Sequence, residues 1–159
     1  MALPYYHGMM GNAYAKAGRL EDARRALDEG LRLAGTNDEG FQKAELHRLK
    51  GETLLAESPN QADVAEESFR HAIEIARHQT SKSWDLRATL SLARLWQQQG
   101  RRGEARDALA AVYSTFTEGF TTPDLVDAAT FLQEQTAALA AARMTNSNDY
   151  CRRHSGPAR

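Results

Sequence analysis

"YAKAGRLEDARRAL", Tyr14 to Leu27, and "WQQQGRRGEARDAL", Trp96 to Leu109, are two writings of one fourteen-residue phrase set 82 positions apart. An aromatic residue, a Gly-Arg pair, an Ala-Arg pair and an Ala-Leu pair hold the same places in both. Glycine stops one helix, and the small and apolar residues four apart that follow it mark the buried side of another. The phrase therefore encodes the bend of a helical hairpin, and its recurrence points to a repeat architecture.

A blurred middle copy, "LLAESPNQADVAEESFRHAI", fills Leu54 to Ile73, its inter-helix loop two residues longer than in the others. The small residues near the start of each second helix are Ala23, Ala65 and Ala105, at spacings of 42 and 40. A small side chain there lets the two helices of a hairpin approach, and Leu27, Phe69 and Leu109, one turn later, fill the space between hairpins.

Working outward from these bends, helical periodicity predicts first and second helices over 4–16 and Leu20–Ala34, with Ala23, Ala26, Leu27 and Leu31 on one side. Third and fourth helices follow over Phe41–Glu57 and Val64–His78, then a fifth and sixth over Ser83–Gln99 and Gly103–Thr117, and a seventh over Pro123–Arg143. No segment alternates as a half-buried strand does, and Gly, Pro or Asn stands at nearly every break. The expected fold is all-α: a right-handed α-solenoid of three hairpins, about 4–35, 41–79 and 83–117, closed by a capping helix at 123–143 within one domain, 4–143. Residues 144–159 have no periodicity and read as a disordered or foreign tail.

Composition narrows the function classes. With 159 residues and 42% hydrophobic content, the chain is sufficient for one core. Its 20 Lys plus Arg balance 21 Asp plus Glu, so no overall basic field exists to attract nucleic acid or an anionic membrane, and neither is expected as a partner. A single cysteine, Cys151, allows no internal disulfide, and neither a signal segment nor a long apolar run is apparent; a cytoplasmic setting is the expectation.

The residues resemble the tetratricopeptide repeat. The matches are Gly11, Tyr14, Gly18, Ala23 and Leu27 in the first copy; Gly51, Leu54, Ala65, Phe69 and Ala72 in the second; Ala93, Trp96, Gly100, Ala105 and Leu109 in the third. The copies depart from that pattern in their length, in having His7, His47 and Thr89 where the family has tryptophan, and in having Gly30 and Val112 where it prefers alanine. The stretches Ala44–Pro59 and Ser83–Leu125 also look like the C-terminal repeat region of bacterial signalling proteins that join a class III adenylate or guanylate cyclase, an ATPase and tetratricopeptide-like repeats. That likeness implies a regulatory or docking part, carries over no catalytic residue, and makes a fragment or short separate gene an alternative reading, since Met1 stands directly before a helix that looks like the middle of a longer solenoid.

The resemblance implies a concave wall made by the first helices, a surface such repeats use for binding. Its groove-facing positions would be Tyr5, Asn12 and Lys16; Glu45, Arg48, Glu52 and Leu55; and Arg87, Leu90, Arg94 and Gln97. The three arginines suit bidentate capture of carboxylates, so an extended or helical peptide with acidic groups is the expected partner. A carboxylate clamp is not expected, because of the places it needs only Asn12 is suitable, others holding Gly8, Leu49 and Ser91.

Catalysis and cofactors are not expected. No two histidines stand four apart as metal ligands on one helical face would, and "GRRGEA" at Gly100–Ala105 lacks the Gly-Lys-Ser/Thr ending of a phosphate loop. Glu66 and Glu67 are adjacent and point about 100 degrees apart, which suits surface charges rather than a proton-transfer pair. Self-assembly is the third function class: Tyr5, Tyr6, Met9 and Met10 would leave an apolar end to the stack, and a homodimer through the first or seventh helix is expected.

Overall fold

Among the described residues seven α-helices occur in the order α1 Leu3–Lys16, α2 Leu20–Ala34, α3 Lys43–Glu57, α4 Ala62–His78, α5 Lys82–Gln98, α6 Arg102–Tyr113 and α7 Pro123–His154. A single 3-10 turn, Pro59–Gln61, precedes α4. The structure is a computed structural model; it describes the backbone of residues 3–35, 40 and 42–154, and their side chains except those of residue 3 and residues 142–154. Among the described residues there is no strand, and the fold is an all-α, tetratricopeptide-like solenoid. No helix among them is long and apolar enough to cross a membrane.

The repeated phrase owes its wording to the bend. Gly18 and Gly100 sit at φ 75° and 81°, a region costly for a residue with a Cβ. This lets the next backbone N–H turn back: Arg19 donates to the Tyr14 carbonyl at 2.9 Å and Arg101 to that of Trp96 at 2.8 Å, satisfying carbonyls that a helix end leaves open. Each arginine then folds over the aromatic ring it has just passed, 4.5 Å from its centroid in both copies. Each also pairs with the acid three residues on, Asp22 or Glu104, both at 2.7 Å. Aromatic, Gly-Arg and acid are thus one device used twice.

Packing follows the same economy. Ala23, Ala65 and Ala105 are all fully buried, as are Leu27, Phe69 and Leu109. A Cβ on Gly11 would lie 2.6 Å from Leu27 Cγ, and one on Gly51 would lie 2.5 Å from Phe69 Cε1, so these hairpins close only over a bare backbone. The departure at Gly30 has a partner: a Cβ there would stand 2.9 Å from that of His7 and 3.2 Å from Leu46 Cδ2. His7 in place of the family's tryptophan and Gly30 in place of its alanine are therefore two sides of one contact.

Within each hairpin the two helices touch, and each second helix touches the next first helix. Among the described residues the odd helices also touch their successors, α1 to α3, α3 to α5 and α5 to α7, whereas α2 and α4, and α4 and α6, do not. A stack whose odd row is in contact and whose even row is splayed curves with the odd row inside. Helix α7 accordingly stands as a fourth inner helix, with Leu125, Ala128 and Phe131 packed on Leu86, Leu90, Ala93, Leu109 and Val112.

Successive hairpins are also tied by charge. Glu66 on α4 accepts from Arg70 at 2.6 Å and from Arg101 at 3.3 Å, and the Trp96 indole N–H is directed at the same carboxylate without completing a full hydrogen bond. Burial pushes this carboxyl upward, but Trp96, Arg70 and Arg101 more than offset it and hold the group below the usual carboxylate range.

Some boundaries differ from the periodicity. α6 stops at Tyr113 rather than Thr117, because the Ser114 and Thr115 hydroxyls donate back to the carbonyls of Ala111 and Val112 and close the last turn. α7 continues past Arg143 to His154. The run "AALAAAR" from Ala137 to Arg143 consists mostly of strong helix formers, which carry α7 up to and past Arg143, and no Gly or Pro intervenes before Gly156. Phe41, most of the break before it, and the last five residues of the expected tail lie outside the described residues.

Candidate functional site: the inner face of the helix stack

The first residues of each odd helix set the face. On α1, Tyr5, Met9, Asn12 and Lys16 recur at spacings of four, three and four, which places them along one side. Glu45, Arg48, Glu52 and Leu55 do the same on α3, and Arg87, Ser91 and Arg94 on α5. Asp124, Asp127 and Glu134 extend the row onto α7.

Arg48 is the centre of this wall. It is 9% exposed, and its Nε and Nη2 grip the two oxygens of Glu45 at 2.7 Å each, while Nη1 reaches Glu52 and lies 3.4 Å from Ser91 Oγ. Ser91 donates to Glu52 at 2.8 Å, joining α3 to α5. Burial disfavours the guanidinium charge, but Glu45 chiefly, with Glu52 and Asp124, more than offsets it, and Arg48 stays protonated. Arg87 carries the chain of charges onward: its Nη2 is 3.1 Å from Glu45, its Nε 3.7 Å from Asp124, and its guanidinium lies 5.4 Å from the centre of the Trp84 ring. Arg94 stands 3.6 Å from Asp127.

Two depressions open on this face. One, of about 160 Å³, lies where α1, α3 and α5 meet: Leu46, Leu49 and Gly8 are among its lining, with Tyr5, Met9 and Trp84, and Asn12, Gln42, Glu45 and Arg87 supply polar groups. The other, of about 360 Å³, runs between α5 and α7 and is lined by Arg94, Gln97, Gln98, Asp127, Thr130, Phe131 and Glu134.

Of the residues expected on the groove, Tyr5, Asn12, Glu45 and Arg87 line the first depression and Arg94 and Gln97 the second. Lys16 is exposed near the end of α1, Glu52 is half-exposed, and Leu55 is half-buried against the core beneath α4. Leu90 does not belong on the wall. It is 6% exposed and packs with Leu86, Leu125 and Phe131, because α7 stacks beside α5 and covers it. Arg48 lines neither of these depressions and is spent on Glu45 and Glu52. The sequence reading leaves out Trp84, which lies on the turn of α5 before Arg87, and also Asp124, Asp127 and Glu134, since it takes the seventh helix as a cap. The acids at spacings of three and seven on that helix were the available signal.

A tetratricopeptide repeat family model matches residues 4–37, a span that takes in α1 from Pro4 and all of α2. Together with the helical hairpins that follow, this match supports a tetratricopeptide-like repeat domain. Repeats of that family are generally protein–protein interaction modules and typically non-catalytic. No curated protein matches the chain.

Proposed function

We propose that this domain is a non-catalytic docking module and that a peptide or protein partner lies along the inner face, from the depression beside Tyr5 to the furrow between α5 and α7. The observation that carries this reading is that both depressions border α5 on the inner side, at Arg87 and Arg94, two helical turns or roughly 10 Å apart. An extended chain of a few residues spans that distance. The test is quantitative capture of partners by three proteins of equal helicity: the native chain, Tyr5→Ala plus Met9→Ala on the wall, and Arg25→Glu on the exposed side of α2. Proteins retained by the native and α2 forms and lost by the wall form are the expected result; identical recovery by all three removes the groove. The narrower role, as a regulatory arm of cyclase-type signalling proteins in a bacterial cytoplasm, is supported by the likeness of Ala44–Pro59 and Ser83–Leu125 alone.

A second reading concerns the end of the stack. Tyr6, Met10 and Ala13 are exposed and recur along the side of α1 next to the wall, and Tyr6 and Met10 are 57% and 45% exposed. Among the described residues α1 contacts α2 and α3, neither of which covers this stripe, and a second copy is the occupant of this reading. Light scattering at high concentration should give a mass above the monomer for the native chain and a monomer for Tyr6→Glu plus Met10→Glu; a native monomer at all concentrations removes this reading.

A further inference from the structure

An arginine-bearing wall suggests an acidic ligand, but the geometry points the other way. All three groove arginines already face carboxylates of the chain itself: Arg48 binds Glu45 and Glu52, Arg87 is set between Glu45 and Asp124, and Arg94 faces Asp127. The most basic point of the wall is also the least reachable, since the Arg48 side chain is only 11% exposed. The acids that neutralise the outer two arginines are open instead, with Asp124 at 49% and Asp127 at 63%. Each makes one long contact, 3.7 Å and 3.6 Å, so both keep acceptor capacity for another donor, and Glu134 adds a further carboxylate beside Asp127 in the same furrow.

The depression beside them has a different character. Its volume of about 160 Å³ is below the range of small-molecule sites and suits a single side chain. Tyr5, Met9 and Trp84 offer apolar surface around it, and Gly8 keeps it clear, since a Cβ there would come 3.1 Å from Leu46 Cδ2.

We infer that the inner face recognises a basic segment: one large apolar or aromatic side chain enters the Tyr5–Trp84 depression, and neighbouring Lys or Arg residues lie against Asp124 and Asp127. This rests on the proposal that the inner face is the binding surface, and charge complementarity selects the occupant. An acidic segment would meet Asp124, Asp127 and Glu134 as like charges, with Arg87 and Arg94 already partly offset by the first two.

The test uses the full chain and three fluorescein-labelled peptides of equal length, each with one central Phe and with Lys, Ser or Glu at the flanking positions, read by fluorescence anisotropy. The Lys peptide should bind roughly tenfold tighter than the Ser peptide, with the gap closing as salt is raised, and the Glu peptide should bind weakest. Exchanging Phe for Ser in the Lys peptide should weaken it by a similar factor. Asp124→Asn plus Asp127→Asn should reduce the Lys peptide to the Ser level and, by freeing Arg87 and Arg94, bring the Glu peptide up. Preference for the Glu peptide, lost in Arg94→Gln, overturns the charge assignment but leaves the groove standing. A Lys preference that survives the double Asn variant also overturns it. Absence of binding by every peptide, or equal binding untouched by wall variants, overturns both it and the groove.

Discussion

Gly51→Ala is expected to destabilise the domain by about 1–3 kcal/mol, although alanine is the better helix former by about 1 kcal/mol. The added methyl would stand 2.5 Å from Cε1 and 2.9 Å from Cδ1 and Cζ of Phe69, well inside contact distance. Phe69 is fully buried with Ala65, Ala72, Leu54 and Leu92 around it, so its ring has nowhere to retreat. The clash therefore outweighs the propensity gain. The third hairpin shows a partner that the methyl tolerates, since it sets Ala93 against Leu109. Phe69→Leu alone leaves a void over Gly51. Combined with Gly51→Ala, it recreates the third hairpin's pair, and the double variant should be more stable than the sum of the single losses by about 1–2 kcal/mol. Urea unfolding followed by helical circular dichroism measures all three. A Gly51→Ala midpoint at or above that of the native chain would mean that α3 and α4 do not meet in this register.

That pair also marks where the sequence could be read and where it could not. The bends at Gly18 and Gly100 were legible because glycine at positive φ, the arginine after it and the aromatic before it are chemically specific and occur twice. The middle bend was blurred because it is built differently: Ser58 accepts from the Asn60 backbone N–H, and a 3-10 turn at Pro59–Gln61 replaces the glycine. The end of α4 uses the glycine geometry without the glycine. Thr80 holds φ 52°, and the Ser81 backbone N–H returns to the Ala76 carbonyl at 2.8 Å, so composition gave no stop signal there.

Helical spacing puts Glu45, Arg48 and Glu52 on one side of α3, where Arg48 bonds both acids, but spacing within a helix says nothing about what the next helix presents. Arg87 and Arg94 read as free donors only until Asp124 and Asp127 are placed beside them. Leu90 was misplaced for the same reason, since burial by α7 is a property of the stack and not of α5.

Arg48 carries the second large effect. Replacing it with methionine keeps much of the aliphatic volume but removes both bonds to Glu45 and the one to Glu52. Breaking one partner of a buried ion pair costs about 3–5 kcal/mol, because the remaining charge is left desolvated. Here Arg87, 3.1 Å from Glu45, partly compensates, which places the expected loss near the lower end, about 3 kcal/mol. The Glu45 side chain is 15% exposed and that of Glu52 42%, so Glu45 is the residue that suffers. Removing it as well, in Arg48→Met plus Glu45→Leu, should restore most of the loss, since an apolar replacement of a buried pair is often neutral or stabilising. Arg48→Lys keeps the charge but not the two-pronged fit and should fall between the two. The loss in Arg48→Met should also persist in high salt, where exposed pairs such as Arg25 with Glu21 are screened. A loss under about 1 kcal/mol, or one that disappears with salt, would place Arg48 in solvent, at surface-pair strength. Its guanidinium would then be available to a ligand, and the case against an acidic partner would lose its central member.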